Sequence, residues 1–335
     1  MTTRLIYASL TAISLFALNS IAATPPVPTQ SATVTLNGYW QNFTNPAETP
    51  VLLSAIPSGY KTVIIAFADL ANDGTASFNL QGPPYSTLQD GVTQFNNDIK
   101  TLQARGVKVL LSLGGQNGYY SLNSLSAQQN FVNSLKTIIA DYGFDGLDYD
   151  FENGLTNANS TYLVAATSTL KQDFASAGKT LIFTTAPETI DVYWQLFHSG
   201  KYDQLIQAGL INSVQTQLYN SGCMLSYKPG SPCYGQASED FIVSQVDSTI
   251  QTWIKNGVSN ADSLYVPGLP ATATAAGGGY VDPVTVKKAF TCLRTLSECD
   301  TYIPTQAYPK LTVGMTWDIN WDAKNNYAFV QALTQ

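Results

Sequence analysis

Short runs of β-branched and apolar residues recur along the chain, separated by stretches long enough to form helices. A short apolar run bounded by turn residues is typical of a buried strand, whereas apolar residues three or four positions apart indicate a helix with one buried face. The pattern predicts eight strands: Thr33–Trp40, Thr62–Ala68, Val107–Leu113, Gly143–Phe151, Thr180–Thr185, Ser213–Tyr219, Ser263–Pro267 and Leu311–Trp317. It predicts six helices between them: Asp90–Arg105, Ser126–Tyr142, Ser160–Ala177, Tyr193–Ala208, Glu239–Asn256 and Pro283–Leu296.

This alternation of strands and helices predicts an α/β fold. Near-continuous hydrophobic strands separated by amphipathic helices indicate a parallel sheet that is covered by helices. Eight such units in one domain favour a closed (β/α)8 TIM barrel, spanning residues 33–335, over an open doubly wound sheet. A weaker helix is predicted around Pro46–Ser54, and the longest loops are expected at Ser221–Gln236 and Gly268–Asp282. Enzymes with this fold place their chemistry at the C-terminal ends of the strands.

The N-terminal residues have the pattern of an export signal. Arg4 is followed by an apolar run from Leu5 to Leu18, and Ser20-Ile21-Ala22 gives the small residues that a signal peptidase requires. A membrane span needs about 20 apolar residues, and this run is shorter. We therefore expect a signal peptide at residues 1–22, a proline-rich leader at 23–32, and a soluble protein that is secreted or periplasmic.

The composition narrows the classes of partner. Charged residues make up only 12% of the chain, the net charge is −7, and there are 19 tyrosines. Phosphate binding needs a basic face, so this acidic balance argues against a nucleic-acid partner. A low charge with many tyrosines suits a protein that handles a neutral polymer outside the cell. We expect a monomer.

The four cysteines fall in two close pairs, Cys223 with Cys233 and Cys292 with Cys299. In an exported protein such pairs are read as disulfides; three pairings are open, and the one between sequence neighbours is simplest. A zinc site is disfavoured because no pair has two-residue spacing and His198, the chain's one histidine, lies far from both. His198 is expected to be a surface or capping residue. Without a GxSxG motif, a Ser–His–Asp hydrolase is excluded.

The fourth predicted strand carries three acidic residues at alternate positions, Asp148, Asp150 and Glu152. Alternate residues of a strand face the same way, so these carboxyls share the face that points into the barrel. Charged carboxyls side by side in a core are unfavourable unless they share protons or hydrogen bonds, which raises the pKa of at least one. A general acid near neutral pH requires such a shift. A calcium loop is disfavoured by the large apolar residues between the acids. Asp145 has the opposite parity and is expected to serve structure where the strand begins.

Residues 145–152, DGLDYDFE, resemble the DxxDxDxE signature of the family 18 glycoside hydrolases, the chitinases. Other strand ends are similar to motifs of that family, over nearly the whole chain after the signal: Tyr39, Ser112-Leu-Gly114-Gly115, Ala186-Pro-Glu188, Gln217-Leu-Tyr219-Asn220 and Met315-Thr-Trp317. The resemblance is closest to compact bacterial and plant-like members that lack an inserted α+β domain.

The resemblance implies a role for each matching residue. Glu152 would protonate the glycosidic oxygen, Asp150 would orient the substrate's acetamido group, and Asp148 would share a proton with Asp150. Tyr219 would hydrogen-bond the acetamido oxygen. Contacts with the sugar are expected from Tyr39, Gln217, Asn220, Trp317, Met315, Ala186 and Glu188. A structural role beside the carboxyls is expected for Ser112, Gly114 and Gly115.

The same resemblance implies the reaction and its alternatives. Family 18 is an exception among retaining glycosidases because the substrate's own acetamido group acts as the nucleophile. The expected substrate is chitin or its oligosaccharides, cut internally, with no cofactor and no metal. An endo-β-N-acetylglucosaminidase that acts on N-glycans shares the fold and the acid. A chitin-binding lectin or inhibitor on the same barrel is the third reading, and such proteins usually lack the glutamate present here at Glu152.

Overall fold

The computed structural model describes residues 34–197 and 199–335. The predicted signal peptide and leader, and His198, lie outside the described residues. Eight parallel strands form the centre: β1 Thr35–Gln41, β2 Tyr60–Leu70, β3 Lys108–Gly114, β4 Gly146–Asp150, β5 Ile182–Thr185, β6 Ser213–Gln217, β7 Tyr265–Pro270 and β8 Val313–Trp317.

Each strand pairs in parallel with its neighbour in the chain, and β8 pairs with β1, so the sheet closes on itself. The prediction of a (β/α)8 barrel is therefore confirmed. The register places Asp148 of β4 beside Ser112 of β3 and beside Thr184 of β5. Three inward-facing polar side chains thus meet at one level of the barrel.

Helices surround the barrel: α1 Gly91–Ala104, α2 Leu125–Tyr142, α3 Thr161–Ser176, α4 Asp203–Gln207, α5 Glu239–Lys255, α6 Ala261–Leu264, α7 Pro283–Thr295, α8 Ile319–Lys324 and α9 Ala328–Thr334. Local sequence sets their ends. The side chain of Ser124 accepts a hydrogen bond from the Ala127 N–H and begins α2, and Ser238 caps α5 in the same way. Gly143, at φ 76°, ends α2 in the left-handed conformation that glycine adopts without strain.

The prediction of one helix over Tyr193–Ala208 is wrong. The structure has 3-10 turns at Thr189–Val192 and Trp194–Leu196, and only the short α4 after them. Gly200 breaks the segment: its backbone approaches the Asp191 carbonyl so closely that a Cβ atom would lie 2.2 Å from that oxygen. The Gly200 N–H donates to the carboxylate of Asp203, the first residue of α4.

Three other predicted boundaries were also wrong. Gly143 ends α2, so β4 begins only at Gly146. Ser263 belongs to α6, and β7 runs from Tyr265 to Pro270 instead. The weak helix around Pro46–Ser54 is reduced to a single 3-10 turn at Leu53–Ala55, because prolines in this segment remove backbone donors.

The buried apolar side chains form two layers. The larger fills the space between the strands and the helices, and it includes Leu147, Tyr149 and Phe151 of the β4 segment. A smaller cluster lies inside the barrel and includes Tyr39, Ala186 and Met315. Since the apolar residues of β4 face the helices, its acidic residues face inward, as strand parity predicts.

Two disulfides join Cys223 to Cys233 and Cys292 to Cys299, so the pairing of sequence neighbours is confirmed. The first closes a small antiparallel hairpin, Cys223–Leu225 with Cys233–Gly235, in the loop after β6. The second closes the turn after α7, in the connection from β7 to β8. Across residues 34–197 and 199–335, no helix combines the length and the apolar character needed to cross a bilayer.

Candidate active site

Asp148 lies at the centre of a hydrogen-bonded group inside the barrel. Its Oδ2 atom accepts from the Tyr39 hydroxyl at 2.7 Å and from the Ser112 hydroxyl at 2.7 Å. Its Oδ1 atom accepts from the Thr184 hydroxyl at 2.5 Å and from the Gln215 amide at 3.3 Å. The side chain is fully buried. Four donors directed at one carboxyl favour its charged form.

Asp150 stands one step nearer the C-terminal end of the barrel. Its Oδ1 atom accepts from Gln217 Nε2 at 2.9 Å, and only 4% of the residue is exposed. Its backbone carbonyl accepts from the Gly115 N–H at 2.7 Å. A Cβ atom on Gly114 would lie 2.2 Å from that same carbonyl, so this close approach requires glycine. Both glycines, for which a structural role is predicted, thus lie against the backbone of Asp150.

Glu152 follows the end of β4 and is half-buried at the mouth of the barrel. The Gln217 amide nitrogen lies 3.3 Å from Glu152 Oε1, and it also donates to the Ala186 carbonyl at 3.0 Å. A single amide therefore spans Asp150 and Glu152 and fixes the spacing of the two carboxyls. Gln217 is 7% exposed, which makes it a buried positioning group.

The carboxyls of this row all have raised pKa values. Burial is the largest cause for Asp148, opposed by its four hydrogen-bond donors. Burial and then the negative charges of Glu152 and Asp148 raise the pKa of Asp150 well above its ordinary value. Burial also raises the pKa of Glu152, which Gln217 lowers in part. The middle carboxyl, between two acidic neighbours and with fewer donors than Asp148, is the one that most favours a proton.

Lys201, just before α4, supplies a positive charge beside the row. Its ammonium donates to the Glu152 backbone carbonyl at 2.8 Å. It forms an ion pair with Asp191 at 3.1 Å and a longer one with Glu188 at 3.7 Å. Through its charge it lowers the pKa of Glu152, whereas Glu188 and Asp191 raise it. This group thus controls both the position and the acidity of Glu152.

A cleft of about 1210 Å³ opens above the carboxyl row. Trp317 forms part of its lining and contacts Tyr39 and Phe67, with ring centroids 5.5 Å and 6.0 Å apart. The Phe67 and Trp317 planes differ by only 19°. Tyr219, also in the lining, has its pKa raised well above the ordinary value by burial and by nearby carboxyls. The cleft therefore offers flat apolar rings beside an acidic centre.

Other predicted sugar contacts have different surroundings. Asn220 lines the cleft, but its side-chain oxygen accepts from the Gly278 N–H at 3.1 Å and holds the loop after β7. Met315 and Ala186 are buried in the apolar cluster inside the barrel, which gives them packing roles. Asp145, for which a structural role is predicted, accepts from the Val109 N–H at 2.9 Å just before β4 begins.

Several residues of the site were missed by the sequence analysis. Thr184 and Gln215 could have been found from parity, since each faces inward on a strand near β4. Lys201 gave no signal, because its segment was predicted to be a continuous helix. Phe67 was hidden in the apolar run of β2. Within the described ranges, no group of three histidine, cysteine or acidic residues is arranged to hold a metal ion.

Comparison with known proteins identifies the family. The model of the glycosyl hydrolases family 18 matches residues 35–333. The chain belongs to glycosyl hydrolase family 18. The resemblance of its strand-end motifs to that family is thereby confirmed.

Individual proteins are similar to this chain over most of its length. Chitinase Chi52 of Paenibacillus xylanexedens is 32% identical over 348 residues, which cover 95% of this chain but 64% of that protein. A solved structure from Streptomyces coelicolor has 37% identity and a TM-score of 0.77, covering 91% of this chain and 98% of the other. A family 18 chitinase structure from Chromobacterium violaceum has 33% identity and a TM-score of 0.77, covering 90% and 83%. The present chain thus spans less than two thirds of the length of Chi52.

Proposed function

We propose that this chain is a chitinase that hydrolyses the β-1,4 bonds between N-acetylglucosamine units, with retention and with assistance from the substrate's acetamido group. The observation that carries this proposal is the inward row of Asp148, Asp150 and Glu152 beneath an aromatic-lined cleft. The similar proteins named above are chitinases, which supports the choice of substrate.

Glu152 is the proton donor in this proposal. Asp150 and Glu152 both line the cleft, but Glu152 is the more exposed of the two, and burial raises its pKa, so it retains a proton closer to neutral pH. Its proton passes to the glycosidic oxygen as the bond from that oxygen to the anomeric carbon breaks, and the bonding electron pair stays with the oxygen. The carboxylate that remains then takes a proton from water in the second step.

The acetamido carbonyl oxygen bonds to the anomeric carbon as the leaving group departs, and an oxazolinium ion forms. Water attacks the same carbon, gives its proton to Glu152 and restores the acetamido group, so the configuration is retained. Asp150 accepts from the acetamido N–H once its own proton is shared with Asp148. The four donors around Asp148 keep that carboxyl fixed, so Asp150 is the member of the pair that turns toward substrate.

Two aromatic residues position the sugar. The Tyr219 hydroxyl donates to the acetamido oxygen and holds it below the anomeric carbon; this side chain is buried beside Asp150 and Glu152. Trp317 supports the apolar face of the sugar ring, a contact that indole makes well because its surface is large and flat. Phe67 stacks against Trp317 and keeps that floor in place.

The decisive experiment is the substitution Glu152→Gln, assayed on chitotetraose. Removal of the proton donor should lower kcat at least about a hundredfold, the lower range for a general acid. Glu298→Gln is the matched control, since Glu298 is exposed near the second disulfide and away from the cleft. Full hydrolysis by Glu152→Gln would show that the acid is assigned wrongly. Release of intact glycans from a high-mannose glycoprotein, with chitotetraose untouched, would favour an endo-β-N-acetylglucosaminidase instead.

Internal cleavage is the second part of the proposal. Between Pro270 and Val313 the chain forms α7 and irregular loops, and the cleft extends from the loop after β1 to the loop after β7. A cleft of this extent accommodates a chain that continues past both sides of Trp317. The viscosity of a soluble chitin derivative should fall early in the reaction. Dimer release without that early fall would contradict internal cleavage.

The two disulfides support export to an oxidising compartment, in agreement with the signal peptide expected from residues 1–22. N-terminal sequencing of the protein recovered from the culture medium or periplasm tests this point. Retention of the first 22 residues on an exported protein would contradict the predicted cleavage.

A further inference from the structure

A second pair of carboxyls lies in the wall of the cleft, apart from the catalytic row. Glu48, in the loop after β1, lines the cleft together with Gln41 and Trp321. Asp318 follows Trp317 and is fully buried behind this wall. The proposed mechanism uses neither carboxyl. We call Gln41, Glu48 and Asp318 the β1 wall.

One amide group joins the two carboxyls of the β1 wall. Gln41 Nε2 donates to Glu48 Oε1 at 2.6 Å and also to Asp318 Oδ2. Asn45 donates to Glu48 Oε1 at 2.8 Å. Glu48 Oε1 is therefore fixed by two donors, and the carboxyl of which it is part faces a cleft large enough for sugar rings.

The β1 wall is short of positive charge. Burial and the negative charge of Asp318 raise the pKa of Glu48 to about 8, and burial raises the pKa of Asp318 to about 7. Lys324 lowers the pKa of Glu48 only in part; its ammonium donates to the Ala47 carbonyl and lies 4.9 Å from the centre of the Trp321 ring. A cation bound beside Glu48 would relieve the repulsion between the two carboxyls.

The third member of the wall points to a ligand that donates hydrogen bonds. Gln41 is only 3% exposed, and its Oε1 atom has no partner among the residues that the structure describes. A buried amide oxygen without a donor is unfavourable, and most such atoms in folded proteins are paired. Because the same amide donates to both carboxyls, this unpaired acceptor adjoins them. The wall thus holds a buried, unpaired acceptor beside Glu48, whose carboxyl faces the cleft and would give up its proton when a cation binds there.

We propose that the β1 wall binds an ammonium group, the free amine of a glucosamine unit in a partly deacetylated chitin chain. An ammonium has a positive charge, three donors and no acceptor, which matches carboxylate and amide oxygens. An acetamido group has only one donor and no charge. Its carbonyl oxygen is an acceptor and cannot pair with Gln41 Oε1, which is also an acceptor. This inference rests on the proposed function, since it concerns the substrate of the same cleft.

The position of the wall separates it from the reacting sugar. Substrate assistance requires an acetylated unit over Trp317, because the acetamido oxygen attacks from that unit. The glucosamine bound by the wall is therefore a unit further along the chain, on the side of β1 and Trp321. The enzyme should cut where an acetylated unit occupies the catalytic position and a deacetylated unit lies beside Glu48.

Product sequencing tests this assignment. The wild-type protein is given partly deacetylated chitin oligosaccharides, and the products are sequenced by mass spectrometry. Acetylated units should predominate at the new reducing end, with glucosamine enriched at one fixed position relative to the cut. Glu48→Gln should lower kcat/KM for such oligosaccharides about tenfold, as expected for one hydrogen bond with a charged partner. Its kcat/KM for fully acetylated chitotetraose should fall much less, so the ratio of the two values should decrease.

Asp69→Asn is the matched control, because Asp69 is an exposed acidic residue that lines the cleft near the C-terminal end of β2. It makes the same change from a carboxyl to an amide in the same cleft, and it should keep the glucosamine enrichment. Equal loss in both variants would overturn the proposal in favour of a general attraction for cations. Enrichment that survives Glu48→Gln would overturn it as well.

A measurement on the wild-type protein alone gives a second test. The fully deacetylated tetramer should compete with chitotetraose and raise its apparent KM, and high salt should weaken this inhibition because it screens charges. Absence of inhibition at low salt would count against the β1 wall as an ammonium site. If the wild-type protein does not cut chitotetraose at all, the proposed function has failed, and that outcome is distinct from a lack of glucosamine preference.

Discussion

Substitution of Lys201 by methionine gives a stability change whose dependence on pH follows from the structure. The ammonium of Lys201 pairs with Asp191 at 3.1 Å and donates to the Glu152 carbonyl at 2.8 Å. Asp191 is nearly buried, and its pKa is raised to about 6 by burial, with Lys201 the strongest opposing influence. Without that charge the pKa of Asp191 should rise above 7.

The sign follows from proton binding. A carboxyl whose native pKa is raised above its unfolded value makes the native state less stable as the pH rises between the two values. In the wild-type protein, Asp191 lowers the free energy of unfolding with rising pH only up to about pH 6, its native pKa. In Lys201→Met this decrease continues to about pH 7. One further pKa unit corresponds to about 1.4 kcal/mol. At pH 5 the native carboxyl is protonated in both proteins, so this difference disappears.

A second, pH-independent loss comes from the hydrogen bond to the Glu152 carbonyl, worth about 1 kcal/mol. Lys201→Met should therefore be destabilised by about 1 kcal/mol at pH 5 and about 2.4 kcal/mol at pH 7. Urea denaturation followed by circular dichroism at the two pH values measures both numbers. The double variant Lys201→Met/Asp191→Asn should lose the part of the pH dependence that comes from Asp191, keep the constant part, and keep the part that comes from Glu152, whose pKa Lys201 also lowers.

Lys136→Met is the control for removing a lysine from an ion pair. Lys136 pairs with Asp173 at 2.8 Å, but both side chains are at least 40% exposed. Exposed pairs contribute less than about 1 kcal/mol, so this variant should change little at either pH. Equal destabilisation of Lys201→Met at pH 5 and pH 7 would refute the reasoning, because it would show that Asp191 does not depend on the ammonium for its charge.

Further substitutions test the catalytic row and its support. Tyr39→Phe removes one of the four donors to Asp148 and should lower kcat on chitotetraose about tenfold, by the value of one hydrogen bond to a charged group; an unchanged kcat would mean that Tyr39 serves packing alone. Gly114→Ala places a Cβ atom 2.2 Å from the Asp150 carbonyl and should abolish activity or folding. Gly178→Ala is its control, with a similarly positive φ but open space around it, and should reduce stability by about 1 kcal/mol in thermal unfolding with activity intact.

Strand periodicity was sufficient to predict the centre of the site. Alternation along β4 placed Asp148, Asp150 and Glu152 on one face, and the barrel turned that face inward. Residues on neighbouring strands could be reached by the same rule, since register brings Ser112 and Thr184 beside Asp148. In a parallel barrel, parity and register together determine which inward side chains meet, and both follow from hydrophobic patterning.

Contacts between loops could not be predicted in this way. Lys201 reaches Glu152 because Gly200 breaks the predicted helix and turns the chain toward the barrel mouth. Glu48 and Asp318 are 270 positions apart and meet only because β8 closes the barrel against β1. Neither contact has a periodic signature, since each depends on the path of an irregular segment and on closure of the whole fold.

The acidic regions around Glu152 and around Glu48 differ in how nearby lysines offset their negative charge. This difference fits the separate roles proposed for them, proton donation and ammonium binding. Beside Glu152, the ammonium of Lys201 is bonded to the backbone and to Asp191, so it offsets charge where a proton must be donated. Beside Glu48, Lys324 offsets the charge only in part, and the acceptor on Gln41 stays unpaired. A chain with one acetylated and one deacetylated unit at the right spacing satisfies both regions at once. The distribution of lysines therefore favours a substrate that is itself unevenly charged.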